Sequence, residues 1–202
     1  MGVRVGINTY LQGYIKDENV RFRQDEIRFV LRAPKKWASE DELLSYPELE
    51  KEYPNFKLSV APGTVHRGEV VSIVGPNATG KSTFIKMIAG VEDPSAGELG
   101  TGISISYKPQ YIRRDFEGTV RDLLFSVCDK KLYDSWYKTE ILTPLQLEEI
   151  LDNDVQDLSG GELQRTAIAS CLSREAELYL LDEPSAYLDV EQRLATAKTI
   201  RR

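Results

Sequence analysis

Cysteine and histidine are scarce in this chain of 202 residues: there are two cysteines, Cys128 and Cys171, and one histidine, His66. The cysteines lie far apart and form no C-x-x-C pair, so neither a disulfide framework nor a cysteine metal site is expected. Cys171 follows small and apolar residues on an expected helix and reads as a buried thiol. His66 sits in the loop-like stretch Pro62-Gly63-Thr64-Val65-His66-Arg67-Gly68 and reads as a surface residue, not a ligand. No run of eighteen apolar residues exists, which excludes a membrane-spanning helix. The first residues, Met-Gly-Val-Arg-Val-Gly-Ile-Asn, lack the apolar stretch of a signal peptide, so a cytoplasmic location is expected. Internal repeats and low-complexity tracts are also missing.

What remains is ordinary globular material, 41% hydrophobic and 29% charged, in a length that can bury a real core. Charge is distributed unevenly. Residues 1–36 carry eight lysines or arginines against four acids, a balance of +4 that leaves −10 for the rest of a chain whose net charge is −6. Such a break suggests two functional parts. A basic arm could touch nucleic acid, and it could equally be a solvated face with local ion pairs.

Local patterns give a coarse element map. Ile27, Phe29 and Leu31 alternate with Glu26, Arg28 and Arg32, predicting a strand within 20–33 that Pro34-Lys35-Lys36 ends. Residues 40–56 are acidic, and their two Tyr-Pro pairs predict extended or turning backbone. Phe56, Leu58 and Val60 predict a short strand. Val70-Val71-Ser72-Ile73-Val74 reads as a buried strand, followed by a glycine-bearing loop and a helix that Gly90 stops. Ile103–Tyr107 reads as a strand, 118–151 as mainly helical, Leu178–Leu181 as a fully buried strand and 190–202 as a helix. Strands alternating with helices argue for an α/β domain with a largely parallel sheet.

Gly75-Pro76-Asn77-Ala78-Thr79-Gly80-Lys81-Ser82 matches G-x-x-x-x-G-K-[ST] between an expected strand and an expected helix, the context a phosphate-binding loop needs. Glycines let backbone N–H groups approach phosphate, and the helix beginning near Lys81 turns its positive end toward the anion. Lys81 supplies a point charge to the β- and γ-phosphates, Ser82 a hydroxyl for Mg²⁺, and the N–H groups through Thr83 complete the cradle. Further on, Leu178-Tyr179-Leu180-Leu181-Asp182-Glu183 delivers two carboxylates from an apolar strand, where open α/β sheets place their ligands. Asp182 is expected to hold Mg²⁺ and Glu183 to orient or deprotonate the attacking water.

Leu158-Ser159-Gly160-Gly161-Glu162 opens another helix, with Ser159 as a natural N-cap and two glycines exposing N–H groups. This makes a second anion site. One γ-phosphate does not need two such sites in one chain. A head-to-tail pair of domains resolves the excess: each phosphate loop is closed in trans by its partner's Ser159, Gly160, Gly161 and Glu162.

Phosphate loop, Gln110, Leu158–Glu162 and Asp182-Glu183 occur in the order found in ATP-binding cassette ATPases, and the chain resembles that family. The resemblance implies a P-loop NTPase cassette: a RecA-like core sheet, an antiparallel β part and a helical signature subdomain at about 115–172. It also implies that Gln110 contacts Mg²⁺ and the lytic water. Asp189, in Ser185-Ala186-Tyr187-Leu188-Asp189, then belongs to the loop that communicates across the pair. An upstream aromatic stacks on adenine; spacing selects Tyr46, with Tyr53 in reserve.

Tyr107-Lys108-Pro109-Gln110, Gly161-Glu162-Leu163-Gln164-Arg165 and Asp182–Asp189 followed by Glu191-Gln192-Arg193 are similar to the second nucleotide-binding domain of subfamily E, the ribosome-recycling ATPases or RNase L inhibitors. Gly6-Ile7-Asn8, Gly13-Tyr14 and Glu18–Arg23 resemble the hinge between that family's two nucleotide domains. The implied division is a hinge over 1–36 and a cassette over 37–202. The implied role is ATP-driven closure and hydrolysis that splits ribosomal subunits, with contacts to ribosomal subunits and ribosomal RNA through the hinge, no membrane, and a second cassette or a second copy as partner. The family's iron–sulfur domain, first cassette and switch histidine have no counterpart here, so the chain reads as a fragment, incomplete at its C-terminal end. Two alternatives stand beside this role: the ATPase subunit of a membrane transporter, and a nucleotide-binding module that does not turn over alone. A coiled-coil chromosome-structure cassette is rejected, because Lys81 and Ser159 are only 78 residues apart and no sustained heptads separate them.

Overall fold

A computed structural model describes residues 3–23, 26–27, 37–100 and 102–201. The chain divides into two compact units, Met1–Trp37 and Ala38–Arg202. In the first, helix α1 (Val3–Gln12) ends at Gly13, whose φ of +67° and close approach to Arg23 leave no room for a Cβ. Strands β1 (Tyr14–Ile15) and β2 (Val20–Arg21) then pair antiparallel. Arg23 lies 4.7 Å over the Tyr10 ring and donates to the Tyr10 carbonyl, and Arg21 lies 5.4 Å over Tyr14. The strand expected within 20–33 is described only at Val20–Arg21. Ile27 is not in a strand, because its N–H bonds back to the Leu11 carbonyl at the end of α1. Phe29, Leu31 and the rest of 28–36 lie outside the described residues.

The second unit opens with four short strands: β3 (Glu42–Tyr46), β4 (Leu49–Tyr53), β5 (Phe56–Val60) and β6 (Gly63–His66). β3 pairs antiparallel with β6, and β4 with β5 in a hairpin closing at Tyr53↔Phe56. Helix α2 (Lys81–Ile88) buries Ile85, Met87 and Ile88, and Gly90, at φ +68°, stops it. Strand β7 (Ile105–Lys108) precedes α3 (Val120–Cys128), the single turn α4 (Ser135–Tyr137), α5 (Gly160–Ser173), β8 (Leu178–Leu181) and α6 (Val190–Arg201). β7 and β8 run parallel, from Ile105↔Leu178 to Lys108↔Leu181. The two segments that end at Lys108 and Leu181 thus deliver their next residues, including Gln110 and Asp182, at the same edge.

The main apolar cluster runs from Val120 to Ala169 and includes Leu188. Leu124, Leu145, Leu147 and Leu158 are fully buried within it, each worth about 2 kcal/mol of burial. Thr119 caps α3 with a capping box: the Asp122 N–H donates to its hydroxyl, and its own N–H donates to the Asp122 carboxylate.

The α/β cassette architecture is present, with several local differences from the expected elements. Val70–Val74 is neither a strand nor buried; Val74 is 86% exposed. A short apolar run is compatible with a buried parallel strand only where neighbours supply a ladder on both sides, and among the described residues β7 and β8 pair only with each other. Parallel pairing is accordingly confined to β7–β8, while the other three described pairs are antiparallel. β8 is only half-buried, with Tyr179 facing out. The 118–151 region contains α3 and α4, but much of it forms tight 3₁₀ turns and one wider turn, Lys138–Leu142. His66 is a half-buried strand residue whose Nδ1 lies 3.0 Å from the Glu69 carboxylate. The register with Glu42 places it at the end of β6 and not in a loop.

Candidate functional site

The loop Gly75–Gly80 leads directly into α2, so its N–H groups gather at that helix's positive end. Gly80 has φ +91°, and a Cβ there would lie 2.9 Å from Leu58 and 3.1 Å from Phe56 on β5; only glycine turns the chain in that space. Ala78 takes φ +62°, a conformation glycine adopts without cost and alanine does not. The Thr79 hydroxyl donates to the Pro76 carbonyl. The Lys81 ammonium donates to the carbonyls of Gly75 at 3.0 Å and Pro76 at 2.5 Å, arching over the loop. Asn77 is exposed at the apex, and Ser82 and Thr83 fall in the first turn of α2.

Across from α2, the Ser82 hydroxyl donates to Oδ1 of Asp182 at 3.1 Å. Asp182 is 3% exposed, and its Oδ2 is buried without a hydrogen-bond partner. A buried carboxylate oxygen left unpaired is costly. Beside a hydroxyl and next to a phosphate loop, it fits a hard divalent cation. One carboxylate and one hydroxyl, with water and phosphate oxygens in the other positions, is the donor set Mg²⁺ takes. Among the described residues no group of three or more His, Cys, Asp or Glu could form an all-protein cage. Gln110 lies half-buried two residues beyond β7, one position past the level of Asp182, which directly follows β8.

Glu183 is exposed and sits at φ +47°, a strained conformation for a non-glycine residue. Its carbonyl accepts from Gln164 Nε2 at 2.9 Å. The carbonyl of Asp182 accepts from Lys108 Nζ, also at 2.9 Å. Burial pushes the Lys108 amine down to about 8, with Asp182, Cys171 and Glu183 opposing that shift. Neither Lys108 nor Gln164 was among the candidate site residues. Lys108 directly follows the expected strand Ile103–Tyr107, and nothing in its spacing marks it as buried.

Ser159 is the N-cap of α5. The Glu162 N–H donates to its hydroxyl, its own N–H donates to the Glu162 carboxylate at 2.8 Å, and the Ser159 contacts hold the Glu162 carboxyl below its ordinary range. Ser159 and Gly160 are exposed. Gly160 lies under the Tyr187 ring, and a Cβ on Gly161 would come 3.1 Å from the Tyr187 carbonyl. Asp189 is exposed at the start of α6 and accepts from the Gln192 N–H at 2.8 Å.

The two aromatic candidates differ. The half-buried Tyr46 ring packs on Phe84 of α2 at 5.4 Å, and its hydroxyl lies against Gly63. Tyr53 is more exposed, stacks on Phe56 at 6.3 Å and donates to Glu92 at 2.5 Å. That bond and burial push the Tyr53 hydroxyl up, with a hydrogen bond to Thr83 opposing.

A family model described as ABC transporter matches residues 58–186. The chain is 55% identical over 99% of its length to an uncharacterized ABC transporter ATP-binding protein of Methanocaldococcus jannaschii, of which it covers 33%. To translation initiation factor RLI1 of Saccharomyces cerevisiae it is 42% identical, over 99% of this chain and 33% of that protein. Among solved structures, the complex of archaeal ribosomal stalk protein aP1 and archaeal ribosome recycling factor aABCE1 matches with a TM-score of 0.89 at 54% identity, over 99% of this chain and 39% of that one. The chain spans about a third of the length of the curated relatives it matches.

Proposed function

The chain belongs to the ATP-binding cassette (ABC) ATPase family, on the branch of RLI1 and the ABCE1 proteins, and from that membership we propose that it binds Mg-ATP as one half of a head-to-tail cassette pair whose closure and hydrolysis separate ribosomal subunits in the cytoplasm. The observation that carries the nucleotide half is the Ser82–Asp182 contact at the mouth of the phosphate loop, with its buried and unpaired carboxylate oxygen.

Lys81 and the N–H groups of 75–83 hold the phosphates, and Ser82 with Asp182 and Gln110 hold the metal. Mg²⁺ held by these residues would supply charge neutralisation for the phosphates. Glu183 accepts a hydrogen bond from the attacking water and aligns it with the γ-phosphorus. Ser159, Gly160, Gly161 and Glu162 act on the partner's γ-phosphate; the exposure of Ser159 and Gly160 supports that direction. Asp189, exposed two residues beyond the Tyr187 that packs on Gly160, serves communication across the pair. Most of the rate then comes from positioning and charge stabilisation. The partner is a second cassette or a second copy of this chain.

The ribosomal half rests on the roles of the relatives RLI1 and aABCE1 and on residues 1–36 as a hinge. The exposed Arg21 lies with its guanidinium over the Tyr14 ring, a combination suited to ribosomal RNA. Transporter coupling has less support, because the solved transporter proteins of comparable fold are 25–29% identical over 78–80% of this chain, against 54% over 99% for the ribosome recycling factor.

Mg-ATP binding and turnover of the chain, alone and mixed with its partner cassette, test the proposal. Lys81→Ala is expected to lose at least tenfold in affinity, and Glu183→Gln to keep binding and lose turnover. Cosedimentation with ribosomal subunits and absence from membranes is the expected cellular result. Full ATP affinity in Lys81→Ala would overturn the phosphate-loop assignment.

A further inference from the structure

Two fully buried polar side chains from different elements converge on two consecutive carbonyls. Lys108, on β7, is 1% exposed and donates to the carbonyl of Asp182; Gln164, on α5, is 0% exposed and donates to the carbonyl of Glu183. Each burial has an evident cost. A buried ammonium forfeits hydration, and the Oε1 of Gln164 is itself buried with no partner. A methylene chain of the same length would fill either place without that penalty.

The segment they hold needs support. Glu183 is at φ +47°, a conformation that costs roughly 1–3 kcal/mol and persists only where the surroundings over-determine it. Glu183 is also exposed at its side chain, so packing of the carboxylate cannot fix its aim. What fixes it is the backbone, and the backbone is tied at both carbonyls.

We propose that Lys108 and Gln164 are positioning residues, a two-point clamp that sets the Asp182–Glu183 turn so that the metal-holding and water-aligning carboxylates keep their relative direction. Gln164 stands five residues after Ser159 on the same helix, about 7.5 Å along its axis. The helix whose first turn faces the partner's nucleotide therefore also holds the carboxylate serving its own cassette's nucleotide. The inference rests on the reading of Glu183 as the water-aligning group.

Gln164→Met keeps side-chain length and Lys108→Met shortens the side chain by one atom; both remove the donor. The expected result, measured on the chain with its partner cassette, is a fall in kcat of about tenfold with KM within about twofold, and a Tm unchanged or raised for Lys108→Met. Hydrogen exchange is expected to accelerate at the amides of Glu183 and 185–187 and to stay constant at those of Gly75 and 77–83, a readout that needs no turnover. If Glu183→Gln retains full turnover, the reading of Glu183 fails, and the clamp fails with it. If Glu183→Gln abolishes turnover but the Met variants keep kcat, or lose nucleotide affinity in proportion, the clamp alone is overturned. Unchanged exchange at Glu183 and 185–187 overturns it as well.

Discussion

The Ser82 hydroxyl and the Asp182 carboxylate, one hundred residues apart in the chain, meet at 3.1 Å. The contact joins the first turn of α2 to the end of β8 and leaves the second oxygen of Asp182 buried and unpaired. Asp182→Asn preserves the hydrogen-bond acceptor for Ser82 but removes the charge. The gain in ATP affinity on adding Mg²⁺ is expected to shrink by about tenfold, ~1.4 kcal/mol, while affinity measured in a chelator stays within about twofold. Isothermal titration with and without Mg²⁺ reads both. An unchanged Mg²⁺ gain would remove Asp182 from the metal site.

The capping box on α5 makes a prediction with a definite sign. The Ser159 hydroxyl and N–H hold the Glu162 carboxyl below its ordinary value of 4.5. A carboxyl depressed in the fold stabilises it fully above the unfolded value, and that contribution is lost as pH falls below about 4.5 through the folded value. Glu162→Gln is therefore expected to flatten this part of the acid limb in urea unfolding. Ser159→Ala is expected to cost about 1 kcal/mol at neutral pH. Parallel acid limbs for the parent chain and Glu162→Gln would dismiss the contribution.

Backbone crowding at Gly97 sets a third expectation. Ser95 and Ala96 bond to the Glu50 backbone on β4, and Gly97 follows at φ +90°. A Cβ there would lie 2.4 Å from the Glu48 carbonyl oxygen, which belongs to the same tied backbone and cannot rotate away. Gly97→Ala is expected to destabilise the chain by about 2 kcal/mol, roughly 5 °C in Tm for a protein of this size. Calorimetry that finds no loss would mean the 95–97 segment can move off β4.

The chemistry-bearing motifs were legible because each is a local backbone device. Gly80 and Ser159 sit where a left-handed turn and an N-cap demand those residue types, and spacing alone identifies them. The Val70–Val74 run was misread because apolar composition does not say whether a ladder partner exists; its residues are exposed. Lys108 and Gln164 were illegible for a related reason. Their roles depend on β7 meeting β8 and on α5 crossing the 182–183 turn, both long-range juxtapositions. Composition marks a lysine in a strand or a glutamine in a helix as surface residues, and only the fold turns them inward.

The choice between Tyr46 and Tyr53 follows the same logic. Spacing favours Tyr46, whose ring packs on Phe84 and whose hydroxyl lies against Gly63, contacts that also suit a strut between β3, β6 and α2. Tyr53 is the more exposed ring, at the tip of the β4–β5 hairpin whose Phe56 and Leu58 pack against Gly80 of the phosphate loop. Lys51 lies over the Tyr53 ring, 5.7 Å from its centroid, and a stacking base takes the place of that ammonium. Tyr53→Ala is expected to weaken ATP binding by about tenfold, in the 1–3 kcal/mol range of base–aromatic stacking, with Tm nearly constant. Tyr46→Ala is expected to do the reverse, lowering Tm by opening the Phe84 contact while the surviving folded fraction binds ATP normally. Fluorescent-nucleotide titration paired with thermal unfolding separates the two, and the opposite pattern would return the adenine position to Tyr46.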